Sequence, residues 1–364
     1  MNKKLIAAAI AAGLAAPMSA NAAPTVYGHL QAEISSEDRT LSTIDTDPTT
    51  AGLQGNVTDG RVVQGGGGRF QEDIGVDDNK RGRLGVKGSE DLGGGLKAIY
   101  KFEWQVDTTD GNPNDGSRES FVGLKGGFGQ VELGRVKSPY KYYGGVKYDP
   151  FVTTEIEARR YGGMSTGDYG QNGFLSRTLA YQGKFGMVNI RATYAPSEQD
   201  GEDGDLGFGI KFGDKMWEAG FAWAHDEDTN NSTGTGATDE SFDAMKIFGK
   251  VKFGNMAVRG QYEMLEEEQA GAAADQEGDI IFLGFDMKFG KTSLHIQAAE
   301  GTWEVSGSPD QESEYLAIGV VHKFSKKTRV FAGYGDMSVD NMNNTAGGAN
   351  GDRDALTVGM RIDF

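Results

Sequence analysis

The sequence contains no cysteine, only 8 prolines and 4 histidines. No disulfide can therefore hold the fold. The histidines lie in no recognisable catalytic motif, so nothing among them identifies a hydrolase. After the first 22 residues no apolar run approaches the ~20 residues that a transmembrane helix needs. These shortages argue against a disulfide scaffold, a helical membrane protein and a histidine-dependent enzyme.

Glycine and acidic residues are abundant instead. Glycine accounts for 56 of 364 residues without the triplet repeat of collagen, and this content favours tight turns and barrel strands over helix bundles. The formal net charge is -17, which argues against non-specific binding to nucleic acid.

The first 22 residues have the three parts of a secretory signal peptide. Two lysines, Lys3 and Lys4, precede the apolar run "LIAAAIAAGLAA", and the small residues of "SANA" follow. This order predicts cleavage after Ala22 and export of residues 23–364.

The end of the chain alternates strictly between apolar and polar positions. In "LTVGMRIDF" one face carries Leu356, Val358, Met360, Ile362 and Phe364, and Asp363 and Arg361 lie on the other. Strict alternation predicts a strand with one apolar and one wet face. One such strand does not distinguish a soluble sandwich from a membrane barrel.

The connections favour the barrel. The alternating pattern recurs along the chain, and seven short glycine-rich turns alternate with eight long polar stretches. Short turns at one end and long loops at the other are typical of outer-membrane barrels, and aromatic residues cluster near strand ends, as they do at membrane interfaces. The sequence therefore predicts an all-β protein, a sixteen-stranded antiparallel transmembrane barrel without an open edge.

Several stretches resemble the general diffusion porins of Gram-negative outer membranes, of the non-enteric type. They are "TVYGHL", "GRLGVKGSEDLGGGLKAIYKFEW", "SFVGLKGGFGQVELGRV", "FSKKTRVFAGYG" and the terminal "RIDF". The resemblance implies one porin domain over 23–364, a channel for ions and small hydrophilic solutes, and neither cofactor, metal nor catalytic residue. It also implies a homotrimer that contacts outer-membrane lipid and lipopolysaccharide. The outer-membrane assembly machinery would recognise the terminal Phe364, and the third loop would fold into the lumen. Poor alternation around Gly123, Gly126 and Gly134 suggests the trimer contact.

The resemblance also suggests a basic wall that faces acids of the third loop, residues 137–175. The wall candidates are Arg83, Arg81, Lys87, Arg135 and His29. Arg135 shares the parity of apolar Val131 and Leu133, which leaves its direction open. The loop candidates are Asp149, Glu155 and Glu157, with Lys147, Arg159 and Arg160 as competing cations. Asp149 precedes Pro150 and is equally suited to cap a turn.

These charges nearly balance at the constriction, so the acidic outer stretches predict a weak cation preference. Acid-rich segments such as "SEQDGEDGD" lack the full calcium-loop pattern and are interpreted as solvated loops. Three alternatives stay open. They are a substrate-specific channel for sugars or another small solute, an outer-membrane barrel enzyme, and a soluble secreted sandwich.

Overall fold

The computed structural model describes residues 23–41, 74–79, 82–112, 116–160, 162–165, 170–171, 173–197, 204–227, 241–268, 275–341 and 351–364. The predicted signal peptide, residues 1–22, lies outside the described residues. Strands make up most of the described chain, as the alternating patterns predicted.

Seventeen strands follow one another in the described part of the chain. They are β1 (Thr25–Leu41), β2 (Ile74–Asp77), β3 (Gly82–Gly93), β4 (Leu96–Val106), β5 (Gly116–Gly126), β6 (Gly129–Lys137), β7 (Phe174–Phe185), β8 (Val188–Ala195), β9 (Asp205–Gly213), β10 (Trp217–Asp226), β11 (Ser241–Phe253), β12 (Met256–Glu268), β13 (Gln276–Phe289), β14 (Thr292–Val305), β15 (Gln311–Lys323), β16 (Thr328–Asp340) and β17 (Gly351–Asp363). One short helix, α1 (Pro139–Tyr142), and two 3-10 turns, Gly145–Lys147 and Ala158–Arg160, lie between β6 and β7.

The strands close into one antiparallel barrel. Each strand pairs with its sequence neighbour, and β17 pairs with β1 over thirteen residues, from His29 opposite Asp363 to Leu41 opposite Gly351. The segments β2 and β3 pair with successive parts of β1, so together they form one strand of the wall. The predicted sixteen-stranded barrel is confirmed.

Short and long connections alternate around the barrel as predicted. Seven tight turns join β3 to β4, β5 to β6 and so on, as far as β15 to β16. The long connections leave the opposite ends of the strands. No helix in the described part of the chain is long and apolar enough to cross a membrane.

The two faces of the strands have the predicted composition. On β17 the exposed side chains are Leu356, Val358, Met360 and Ile362, and on β1 they are Val26, Leu30 and Ile34. The alternate residues His29, Gln31 and Glu33 are buried. The outer face is therefore an apolar band suited to lipid, and the polar side chains lie inside.

The last residue of the chain closes the wall through a glycine. The backbone of Gly28 exchanges two hydrogen bonds with Phe364, at 3.2 and 3.0 Å. A β-carbon at Gly28 would lie 2.6 Å from the Phe364 ring. Because only glycine leaves this room, the aromatic ring can pack closely against β1 at the short-turn end.

Candidate functional site

The described parts of the long connection between β6 and β7, which spans residues 138–173, have defined local structure. Ser138 caps helix α1, because its hydroxyl accepts from the Lys141 amide at 3.1 Å, and Pro139 occupies the first helical position. The chain then turns at Gly144 and Gly145, whose φ angles are 56° and 53°. These angles are easily adopted only by glycine.

The first part of this connection is bound to strands β11 and β12. The Tyr140 hydroxyl donates to Glu263 at 2.7 Å, and the Gly145 amide donates to the Gln261 side chain at 2.6 Å. Gln171, near the end of the connection, donates to the same Glu263 at 3.1 Å and accepts from Lys246 at 3.1 Å. Two distant parts of the connection therefore meet on one buried carboxylate.

The middle of the connection is bound to strands β12, β14 and β15. Arg259 donates to the carbonyl of Tyr148, and Gln297 donates to Asp149 at 2.9 Å. The Tyr315 hydroxyl donates to the carbonyl of Ile156 at 2.8 Å. Phe151, Ile156 and Met164 are fully buried in one apolar cluster with wall residues of β10 to β17.

The far end of the connection reaches the seam where the barrel closes. The Glu155 amide donates to Glu33 of β1 at 3.2 Å, and Arg353 of β17 donates to the Glu155 carboxylate. Gln31 of β1 donates to the carbonyl of Thr153. The wall residues in these contacts alternate with the exposed apolar residues of the same strands.

All three predicted loop acids are buried and bound. Asp149, Glu155 and Glu157 are 3%, 4% and 4% exposed. Asp149 accepts from the amides of Phe151 at 2.8 Å and Ala158 at 2.9 Å, which is the turn-capping role that the sequence left open. Glu155 pairs with Arg353, and Glu157 accepts from Arg159 at 3.0 and 2.9 Å. The side chain of Arg160 lies outside the described part of the chain.

Two of the predicted basic residues meet on the wall of β1 and β3. Arg83 Nε donates to His29 Nε2 at 3.1 Å, and Arg83 lies 3.9 Å from Glu103 of β4. Lys87 lies on the same strand face, with its ammonium 4.8 Å from the centre of the Tyr27 ring. Arg81 lies outside the described residues.

Arg135 lies apart from that pair, at the end of β6. Its guanidinium donates to the Ser176 hydroxyl at 2.6 Å and lies 5.8 Å from the Phe174 ring centre. The pairing of β6 with β7 shifts register between Gly134 and Val136. Because simple alternation fails at such an irregularity, the direction of Arg135 could not be read from its parity.

Three further arginines join this basic wall, and the sequence reading missed them. Arg118 donates to Glu103 at 2.7 Å, which places it beside Arg83. Arg329 and Arg361 both donate to Asp363, which lies 3.7 Å from His29. Arg361 alternates with lipid-facing Met360 and Ile362, so its parity was a usable signal. Arg118 lies at a bulge opposite Glu103, so its direction could not be predicted from alternation.

The comparisons with known proteins agree with this architecture. The family model described as Gram-negative porin matches residues 7–344. The chain belongs to the Gram-negative porin family.

Relatives of this porin cover its full length. It is 25% identical to the major outer membrane protein P.IB of Neisseria lactamica, over 100% of both chains. It is 24% identical to the P.IB protein of Neisseria gonorrhoeae, over 92% of this chain and 93% of that protein. Among solved structures, the anion-selective porin from Comamonas acidovorans superposes with a TM-score of 0.70 at 20% identity, over 94% of this chain and 99% of the other. At that identity the likeness shows the fold alone.

Family membership settles the class of activity and the location. This porin is an outer-membrane channel for passive diffusion, and it is not an enzyme. One stretch, residues 163–167, does match the G-x-S-x-G spacing of serine hydrolases. Ser165 is fully buried there, and its hydroxyl donates to Glu263. The serine thus helps to hold the connection to the wall of the porin.

Among the described side chains of the connection, Lys147 is a cation that remains accessible, although the surrounding groups partly desolvate its ammonium. Its ammonium lies 3.9 Å from the centre of the Tyr142 ring. Enclosure of this ammonium, together with the nearby positive charges of Lys137, Lys211 and Arg191, lowers the pKa of Lys147 to about 7. By contrast, burial raises the pKa of Asp149, and its hydrogen-bond donors oppose that shift.

Proposed function

We propose that residues 138–173 fold into the lumen and form the constriction of a channel for ions and small hydrophilic solutes. The proposal rests on one observation. The connection leaves the wall at β6 and hydrogen-bonds to inward-facing side chains of β12, β14, β15, β17 and β1. These strands lie across the barrel, so a direct path to them crosses the lumen.

We also propose that residues 1–22 direct export.

Thiol modification tests the constriction directly. The protein has no cysteine, so Val146→Cys, next to Lys147 on the connection, carries a unique thiol. A bulky polar thiol reagent should react with it and lower the single-channel conductance. The matched control is Leu283→Cys on the lipid face. Labelled Val146→Cys channels that conduct as well as unlabelled ones would refute the constriction.

We propose a weak cation preference that is confined to low salt. The acidic outer segments concentrate cations at the mouth, and this effect is screened as salt rises. Near the loop, by contrast, the balance of exposed charge is positive and favours anions. The loop acids are buried, whereas Arg83, Lys137, Arg329 and Arg361 keep 20–32% of their side-chain surface exposed. Although these four cations also form ion pairs, their exposed surface lets them act on passing ions more strongly than the buried loop acids do.

We propose a homotrimer whose contact includes the outer face of β5 and β6. One solved neighbour, OmpT of Vibrio cholerae, is a trimer form, and it resembles this chain with a TM-score of 0.63 at 16% identity. The sequence suggested that Gly123, Gly126 and Gly134 allow the close approach. Gly123 and Gly134 instead alternate with outward Val122, Leu124 and Leu133, which are 62%, 37% and 54% exposed. These three apolar side chains are the proposed contact.

Cysteine cross-linking tests the trimer contact. A short bifunctional thiol reagent should link Leu133→Cys subunits into species larger than the monomer in unheated samples. Val258→Cys, an outward-facing and similarly exposed residue on β12, is the control and should remain monomeric after denaturation. Equal linking at both positions, or none at Leu133→Cys, would contradict this contact.

A further inference from the structure

A lysine-lined recess lies at the short-turn end of β3, β4 and β5. The cavity measures about 540 Å³. Four lysines line it, together with Thr25, Ser89, Phe121 and Gln130. They are Lys87, Lys97, Lys101 and Lys125. On their strands these lysines alternate with the lipid-facing residues Val86, Ala98, Phe102 and Leu124, so they belong to the inner face.

The register places these lysines in two like-charge pairs. Lys87 lies directly opposite Lys101, and Lys97 lies directly opposite Lys125. Like charges at directly opposed positions of an antiparallel pair are destabilising. Two neighbouring pairs of directly opposed lysines are therefore unfavourable for strand pairing. Such locally unfavourable arrangements are expected at functional sites.

Among the described residues, compensating acids lie within ion-pair distance of one of the four lysines. Lys101 pairs with Glu119 and lies 3.6 Å from Glu103. Within the part of the chain that the structure describes, Lys87, Lys97 and Lys125 form no ion pair within 4.0 Å. Asp91 lies opposite Lys97, but its carboxylate accepts from the Gly93 amide in the turn at 2.9 Å.

We propose that this recess is a binding site for a small multivalent anion of the pyrophosphate class, entered from the side of the short turns. Closely spaced negative charges would relieve the repulsion within both lysine pairs and accept charge-assisted hydrogen bonds from several ammonium groups. Ser89, Thr25 and Gln130 add neutral donors at the rim. The site stands whether or not residues 138–173 constrict the pore.

Calorimetry with inorganic pyrophosphate tests binding without relying on conduction. The detergent-solubilised full chain should bind pyrophosphate saturably, and the affinity should fall as KCl is raised. Inorganic phosphate should bind more weakly because it offers fewer charges to the two pairs. Failure to detect saturable binding at low salt would overturn the site while leaving the proposed channel intact.

Matched variants locate the site. Lys97→Gln combined with Lys125→Gln should weaken pyrophosphate binding by roughly tenfold or more, because charge-assisted hydrogen bonds are the strong ones. Lys97→Arg combined with Lys125→Arg should retain binding. The control is Lys326→Gln combined with Lys327→Gln, in the turn after β15, which removes the same charge outside the recess. Equal weakening in the control would mean that net charge alone attracts the anion.

Side-specific block supplies a second readout. A biotinylated thiol at Ser306→Cys, between β14 and β15, marks the long-loop side when streptavidin is added. Pyrophosphate added to the opposite, short-turn side should reduce the single-channel current at low concentration. Pyrophosphate on the streptavidin side should do so only at higher concentration. Block that is equal from both sides would contradict entry from the short turns.

Discussion

At the scale of the residue, alternation alone decided which side chains face lipid. Leu356, Val358, Met360 and Ile362 are 45–56% exposed on β17, and the residues between them face inward. The pattern sufficed because the side-chain period of a strand is two, and a shift of one residue would expose the whole polar set to lipid.

Replacement of Val358 by arginine should destabilise the barrel. An arginine near the middle of the lipid face costs about 2–4 kcal/mol in barrels of this kind. We expect Val358→Arg to lower the urea midpoint for unfolding from lipid vesicles. Asn189→Arg on the inner face of β8 is the control and should change it little. A Val358→Arg barrel as stable as the parent would place this residue away from lipid.

Lys147 makes the channel sensitive to pH near neutrality. Because the pKa of Lys147 is lowered to about 7, the side chain carries positive charge below that pH and loses it above. Raising the pH from about 6 to 8 should therefore shift the ion preference toward cations. Reversal potentials should show this shift in the parent and lose it in Lys147→Gln. A shift of equal size in both proteins would assign it to other groups.

At the scale of the element, the sequence predicted the strands and turns and offered a turn-capping role for Asp149, but it did not predict which wall residues bind the loop acids. Turn chemistry and alternation are local, so seven turns and eight long connections could be read directly. The partners of Asp149 and Glu155 are Gln297 and Arg353, 148 and 198 residues away. No local pattern encodes such contacts, and a carboxylate bound to the wall looks the same in sequence as one exposed to the lumen.

The pair between Arg353 and Glu155 fixes the far end of the connection. Arg353 is 6% exposed and also donates to Glu37, so its removal takes a buried cation away from two buried carboxylates. Breaking such a buried pair from one side costs about 3–5 kcal/mol. Arg353→Met should therefore lower thermal stability and increase the open-channel current noise.

The matched control for Arg353 is Arg329→Met on β16. Arg329 pairs with Asp363, but its side chain is 32% exposed, and partly exposed pairs contribute only about 0–1 kcal/mol. If Arg353→Met channels had the thermal stability and the open-channel current noise of the parent, the connection would be held without this pair.

At the scale of the whole molecule, charge is polarised along the barrel axis. Lysines crowd the short-turn end, in the recess and in the turn at Lys326 and Lys327, while the sequence stretches that follow the opposite strand ends are rich in Asp and Glu. The net charge of -17 hides this separation. The sequence pattern already separated a basic wall from acidic outer stretches, and the register of the strands adds the two lysine pairs at the short-turn end.

This polarity leads to a selectivity that depends on salt. At low salt the acidic mouth should raise the local cation concentration and give a small cation preference. At high salt the Debye length falls to about 3 Å at 1 M, so charges at the mouth are screened, whereas Arg83 and Lys137 beside the proposed constriction should still act on passing ions. Reversal potentials in KCl gradients should therefore move from weakly cation-preferring to anion-preferring as mean salt rises.

Neutralising the wall tests which charges cause this reversal. Arg83 is partly exposed and lies beside His29 and Glu103, whereas Lys327 lies in an exposed turn. Arg83→Gln should shift the high-salt reversal potential toward cations and leave the low-salt value nearly unchanged, because the mouth keeps its acids. Lys327→Gln removes the same charge and should have little effect at high salt. Anion preference that is strongest at low salt would show that the mouth does not govern selectivity there.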